Sequence, residues 1–209
     1  GPTSSGKTST SRKALRYLGD AHPNVRFKAL EVDMYFRDNR YTEKLHYNVD
    51  GRMVEDINFE LPETYDIALL NGHLAALMQG QTVMVPHYNF RQGIRTGETT
   101  PFRLEPDEVL LLDCMHALSP QLTEAIPAEH KFKLYVSALT QLTLDNHNLI
   151  STTDLRLLRR MVRDHRTRGK SALMTLQMWH GVRAGEQRWI FPFQKEADAA
   201  FNSALAFEP

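Results

Sequence analysis

The first eight residues constrain this chain more than any other stretch. Gly1-Pro2-Thr3-Ser4-Ser5-Gly6-Lys7-Thr8 sets two glycines around four residues and follows them with a lysine and a hydroxyl residue, the spacing of a phosphate-binding loop. In such a loop successive backbone N–H groups turn inward around phosphate oxygens. Lys7 adds a point charge for the terminal phosphates, Thr8 a hydroxyl for Mg²⁺, and the following helix the positive end of its dipole. The expected phosphate-binding set is therefore Gly1, Ser4, Ser5, Gly6, Lys7, Thr8 and Ser9. A loop of this kind hangs from the end of a buried strand in a parallel sheet. A hydrophobic strand is thus expected upstream of Gly1, and the chain reads as a piece of a longer one.

A phosphate loop implies an α/β protein with a parallel sheet flanked by helices. At 209 residues with 42% hydrophobic content, the chain is long enough to build one such domain, spanning 1–209. Lysine plus arginine and aspartate plus glutamate each number 25, so no global charge points to a nucleic acid or a membrane surface. The single cysteine, Cys114, excludes an intrachain disulfide and suits a reducing, cytoplasmic setting. No apolar run approaches the ~20 residues that span a bilayer. The sequence leaves a homo-oligomer open.

Along the chain, Thr8 to Leu18 reads as a helix with Ala14, Leu15 and Leu18 on one side and Gly19 as its stop. Asn24 to Phe36 has strand character and ends in Asp33, an acid where α/β enzymes keep their chemistry. Residues 37–62 are polar and aperiodic and read as a long functional loop or the base of a lid. Glu63 to Gly80 reads as an amphipathic helix carrying Ile67, Leu70, Leu74, Leu77 and Met78. Val83 to Pro86 reads as a short edge strand entering an aromatic turn, His87 to Arg91, in which Tyr88 and Phe90 pack on the sheet or stack on a ligand. Val109 to Asp113 is an apolar run closed by a carboxylate, the form of a buried parallel strand, and Asp113 becomes the partner of Mg²⁺ or of its bound water. Leu122 to Ile126 reads as a short helix and Phe132 to Ser137 as a strand.

Thr153 to Gly169 reads as a helix with Leu155, Leu158 and Val162 on one stripe and Arg156, Arg159, Arg160 and Arg163 on another. Arg166 and Arg168 extend the positive charge. With only Asp154 and Asp164 against them, these arginines call for an anion, for which a bound triphosphate is the candidate. Region 151–170 is accordingly expected to form a lid. Trp189 to Phe193 reads as an apolar connection and Glu196 to Phe207 as a final amphipathic helix. The nine histidines show no metal-ligand spacing.

Taken together, the phosphate loop, Val32-Asp33-Met34-Tyr35-Phe36, Asn58-Phe59-Glu60-Leu61-Pro62, Pro86-His87-Tyr88-Asn89-Phe90 and Arg159 through Gly169 resemble, in order, the motifs of the uridine kinase and phosphoribulokinase family. Thr140-Gln141-Leu142, His147-Asn148, Thr152-Thr153-Asp154, Ile190 to Gln194 and Phe201 to Leu205 narrow the resemblance to bacterial uridine-kinase-like proteins. In those, an N-terminal segment similar to part of threonyl-tRNA synthetase precedes the kinase domain. The resemblance implies a P-loop kinase fold with an arginine-bearing lid, with ATP and Mg²⁺ as cofactors and a small-molecule acceptor. It implies Asp33 as the acid that takes the acceptor's proton, with Lys7 and Arg163 beside it in catalysis. Arg160 and Arg168 would meet the phosphates, and Thr8 and Asp113 the metal. Tyr35, Glu60, Tyr88, Phe90, Arg160 and Arg163 would join Asp33 around the acceptor, most simply a uridine- or cytidine-like nucleoside. Glu60 stands where uridine kinases carry aspartate, Gly93 where a histidine reads the pyrimidine edge, and Met178 near a glutamine of the same pocket. A phosphosugar or another metabolite as acceptor, or a regulatory nucleotide-binding module with little transfer, are the alternatives.

Overall fold

A computed structural model of the chain describes residues 1–90, 92–139 and 150–204. Helix α1 spans Lys7–Ala21, α2 Ile67–Met78, α3 Thr152–Arg163 and α4 Ala172–Trp189. The strands are β1 (Arg26–Glu31), β2 (Lys44–Val49), β3 (Arg52–Ile57), β4 (Val83–Asn89), β5 (Ile94–Phe102), β6 (Glu108–Asp113), β7 (Leu134–Ser137) and β8 (Ala199–Asn202). The fold is α/β, with parallel strand pairs flanked by helices.

Two parallel pairs carry the site. β1 pairs with β6 in a register that sets Leu30 opposite Leu112 and Glu31 opposite Asp113, so both strands end together. β7 pairs with β8, Ser137 lying opposite Asn202. The phosphate loop lies beside both pairs. A Cβ on Gly1 would fall 2.1 Å from the Val136 carbonyl oxygen, so only glycine allows this approach to β7. Ser4 and Gly6 take positive φ angles of 54° and 82°, and α1 begins directly after Gly6. α1 runs through Gly19 to Ala21, three residues past the expected end at Leu18. A lone helical glycine with open space around it lowers helix stability without stopping the helix.

The main core lies where the aromatic turn after β1 meets α2 and β4. Leu30, Val32, Tyr35, Phe36, Tyr65, Leu70, Leu74, Leu77, Val83, Val85, Tyr88 and Leu122 are buried together there. Asp66 caps α2 by accepting from the Leu69 N–H at 3.2 Å, and Arg95 of β5 joins Asp66 at 3.1 Å. Arg95 also donates to the carbonyls of Tyr35 and Phe36 at 3.0 Å each, which ties the turn after β1 to the neighbouring hairpin.

Several expectations are overturned. Residues 37–62 are no loop: β2 and β3 form an antiparallel hairpin whose turn places Asp50 and Gly51 at φ 50° and 81°. Asp-Gly is the dipeptide such a turn needs, because both residues must take the left-handed conformation. The strand expected to end at Pro86 continues to Asn89 and pairs with β5, shifting register between Pro86 and Tyr88. Leu122 to Ile126 is not a helix; a single 3₁₀ turn covers Pro120–Thr123. Glu196 to Phe207 is not a helix in its described part, since Ala199–Asn202 adds to the edge of β7. Helix α4 lies in a stretch without clear amphipathic spacing, where only Ser171, which caps it by accepting from the Met174 N–H, marks its start. Val109, expected inside, is 48% exposed. Thr140-Gln141-Leu142, His147-Asn148 and Leu205 lie outside the described residues.

Candidate active site

Asp33 sits two residues beyond the end of β1, in a 3₁₀ turn over Val32–Tyr35. Asp113 closes β6, the strand beside it. The carboxyl ends of neighbouring parallel strands, next to a phosphate loop, are where an open α/β sheet places its ligands. A cleft of about 520 Å³ opens at that point. Ser4, Ser5, Gly6, Lys7, Thr8 and Ser9 line it, as do Asp33, Glu60, Phe90 and Asp113, and the helical segment supplies Arg160, Arg163 and Arg168. Residues separated by more than a hundred positions in sequence thus share one cavity.

Two sequence-derived tyrosines lie elsewhere. Tyr35 is fully buried, and its hydroxyl meets His73 Nδ1 at 2.9 Å on the α2 side. Tyr88 is buried behind Phe36 and Phe90, with ring centroids 5.5 and 5.1 Å away. Neither lines the cleft, and their places on its wall are taken by Phe36, Phe59 and Tyr65, which the sequence analysis did not single out. Gly1 supports the loop from behind. Met178 is buried and accepts from Lys170 Nζ at 3.4 Å.

The loop itself shows what it is shaped for. Lys7 Nζ donates to the Pro2 carbonyl at 2.9 Å, back across the turn. The hydroxyl oxygens of Ser4 and Ser5 are buried without a hydrogen-bond partner. Buried polar atoms left unpaired are costly in a folded chain, and both residues line the cleft, where a bound anion would supply a partner. Burial pushes the Lys7 ammonium below its ordinary value, with Asp113 and Asp33 opposing that shift. Burial also pushes Asp33 up, while the hydrogen bond from Tyr65 and the charge of Lys7 pull it down. A carboxylate raised toward neutrality is a better proton acceptor at working pH than an ordinary one.

Four of the segment's arginines divide into two groups. Arg156 and Arg160 are buried and already paired: Arg156 with Glu186, through Nη2 at 2.9 Å and also through Nη1, and Arg160 with Glu60 at 3.1 Å and Asp164 at 3.3 Å. Both also reach the phosphate loop, Arg156 donating to the Thr3 carbonyl and Arg160 to its hydroxyl, each at 3.2 Å. For these two, protein carboxylates supply the anion that the sequence analysis assigned to a triphosphate. Arg163 and Arg168 are the partly exposed pair. Both are gathered by the buried Asp164, Arg163 at 2.8 Å and Arg168 at 3.8 Å. Burial and then the neighbouring Arg168 lower Arg163 to about 10, which still leaves it charged at neutral pH.

Glu60 is held from two sides. Its Oε1 accepts from Arg160, while Oε2 is buried without a partner. A Cβ on Gly185 of α4 would lie 2.4 Å from the Glu60 Cβ, so the helix can approach the carboxylate only because that position is glycine. Gly93, with φ 68°, is equally confined: a Cβ there would meet Ile57 Cδ1 at 2.7 Å.

The family profile described as "Phosphoribulokinase / Uridine kinase family" matches residues 1–206. The chain belongs to this family. Among the relatives of this phosphoribulokinase and uridine kinase family member, a uridine kinase of Clostridium perfringens is 26% identical over 200 residues, covering 95% of this chain and 82% of its own. A uridine kinase of Staphylococcus haemolyticus is 27% identical over 199 residues, with the same coverages of 95% and 82%. In fold, the family member is similar to a candidate fructose transport system kinase from Silicibacter sp. TM1040. That structure gives a TM-score of 0.59 at 15% identity, over 96% of this chain and 86% of the other.

Two residues of the cleft have the chemistry to hold a metal ion. Thr8 and Asp113 offer a hydroxyl and a carboxylate to the same cleft. Among the described residues, no group of three or more histidine, cysteine or carboxylate side chains gathers as a metal cage. Mg²⁺ needs no such cage, since it keeps several waters and takes one or two protein oxygens plus phosphates. The donor set therefore fits it.

Proposed function

We propose that the chain is an ATP-dependent kinase that moves the γ-phosphoryl group of ATP to a hydroxyl of a small, sugar-containing acceptor. The observation that carries this reading is the convergence of Lys7, Asp33, Asp113, Arg163 and Arg168 on one cleft. Phosphoryl transfer asks for alignment and charge neutralisation more than for covalent chemistry, and these residues supply both. The loop amides, Ser4, Ser5 and Lys7 hold the phosphates. Mg²⁺, held by Thr8 and Asp113, would neutralise phosphate charge. Asp33 takes the proton of the acceptor hydroxyl, whose oxygen bonds to the γ-phosphorus as the bond to the β–γ bridging oxygen breaks and ADP leaves. Arg163 and Arg168, aimed by Asp164, face the charge on the equatorial oxygens and screen the reaction from water.

The acceptor is placed by Glu60, whose free Oε2 is suited to sugar hydroxyls, and by the Phe36, Phe59 and Phe90 wall. A uridine- or cytidine-like nucleoside is our first reading of the acceptor, supported on the uridine side by relatives that are uridine kinases. A second reading, a phosphosugar or another metabolite, is favoured by Gly93. Glycine offers no side chain to read a base, and one added at this φ of 68° would have to displace Ile57 Cδ1; a missing base-reading bond can weaken discrimination by as much as ~10⁴-fold.

An ADP-release assay with uridine, cytidine and a panel of sugar phosphates separates the two readings. Lys7→Ala is expected to lower transfer by about 10²- to 10³-fold and Asp33→Asn by about 10²- to 10⁴-fold, both proteins remaining folded. Wild-type turnover in either variant would reject the role assigned to that residue, and ADP release with no acceptor phosphorylated would sink the kinase reading.

A further inference from the structure

Asp33 has one carboxylate oxygen engaged before any acceptor arrives. Tyr65 Oη donates to Asp33 Oδ1 at 2.9 Å. The two residues are 32 positions apart, and the fold joins them by fixing both the backbone and the ring of Tyr65. Its backbone forms an isolated antiparallel bridge with Phe36, three residues after Asp33. The next residue's N–H, from Asp66, donates to the Tyr35 carbonyl at 2.8 Å. Its ring stacks on Phe36 at 4.3 Å and 23° and meets His116 edge-on at 5.9 Å. Tyr65 is 1% exposed, so its phenol has little freedom to swing away.

The charged and titratable groups around Asp33 leave this bond as its fixed partner. Lys7 and Arg168 favour the carboxylate and Asp113 opposes it, and the hydrogen bond that Lys7 Nζ makes runs to the Pro2 carbonyl. Burial pushes the neighbouring Cys114 thiol up to about 12 and holds His116 down to about 3, so both are neutral. Burial raises Tyr65 well above the ordinary phenol value, which keeps its proton available to donate. The stack on Phe36 would be served equally by phenylalanine. A hydroxyl buried at that position without a partner would cost stability; its partners are the Asp33 carboxylate at 2.9 Å and, beside it, the weakly accepting Cys114 sulfur.

We infer that Tyr65 is a positioning residue for phosphoryl transfer: by holding Asp33 Oδ1, its hydroxyl presents Oδ2 to the acceptor. This inference rests on the kinase reading proposed above. Tyr65 acts through Asp33 and takes no part in the proton transfer.

Tyr65→Phe removes one oxygen and keeps the ring. Measured on the full chain with the acceptor found most active, it is expected to lower kcat about 10- to 100-fold, the scale of a misplaced reacting group, with KM for ATP unchanged. In an Asp33→Asn background, the same substitution should change kcat by less than about 2-fold, because coupled residues are not additive. Rates are compared below the melting temperature of both variants. Wild-type kcat in Tyr65→Phe, or the same fold loss with and without Asp33, would overturn the inference. Should the wild-type chain phosphorylate no acceptor, the kinase reading falls; should Asp33→Asn transfer at the wild-type rate, the roles of Asp33 and Tyr65 fall together; should Asp33→Asn be impaired while Tyr65→Phe is silent, only the role of Tyr65 is lost.

Discussion

Helix α2 turns Leu70, Leu74 and Leu77 into the main core, whereas α3, of the same 12-residue length, turns Arg156 and Arg160 inward along with Leu155. Leu158 and Val162, the rest of its apolar stripe, stay 48% and 52% exposed. The difference lies in what each helix meets. α2 packs on apolar and aromatic surface, where burying leucine removes apolar area from water. α3 meets the Glu186 carboxylate from α4, Glu60 from the loop after β3, and the carbonyl and hydroxyl of Thr3 in the phosphate loop. Those acceptors need donors once they are buried, and a leucine face would leave them unpaired. α3 is therefore held by charge pairing, and that pairing connects the phosphate loop to the acceptor side.

The comparison can be broken at its strongest point by Glu186→Leu. This leaves Arg156 buried beside no carboxylate and is expected to cost about 3–5 kcal/mol in denaturant unfolding, most of which the double variant Arg156→Met/Glu186→Leu should recover. If Glu186→Leu unfolds like the wild type, α3 is not held by its charges and the contrast collapses. On the other helix, Leu74→Ala is expected to cost about 2–5 kcal/mol by leaving a cavity. No second substitution that merely removes a charge should restore it. The smallest effect sharpens the comparison most: Val162→Ser should stay within about 0.5 kcal/mol of wild type. A large loss there in the same unfolding assay would mean that the apolar stripe of α3 packs inward after all.

What was legible in the sequence is what is local. The phosphate loop, the acids closing β1 and β6, and the leucines of α2 each carry their meaning within a dozen residues. The β2–β3 hairpin had a local signal in Asp50-Gly51, but its strands alternate too weakly to stand out from a loop. β8 had none: four residues become a strand only because β7 offers them an edge. Of the expected site residues, Tyr35 and Tyr88 were misplaced because an aromatic beside a catalytic turn can face the core or the cleft. Which way it faces depends on neighbours such as His73 that lie far along the chain. Tyr65, which faces the cleft and Asp33, looks in sequence like one more residue before a helix.

The sequence by itself determined that this protein builds a phosphate-binding turn, two acid-tipped strands and an arginine-rich helix, since each follows from spacing and side-chain type over a short stretch. Only the tertiary structure decided which arginines are buried on Glu60 and Glu186 and which stay partly exposed at the cleft, and which tyrosine holds Asp33. Those choices depend on contacts between segments up to 157 residues apart, as between Thr3 and Arg160. A buried charge or hydroxyl takes its role from the partner that desolvation forces it to find, and a linear pattern does not contain that partner.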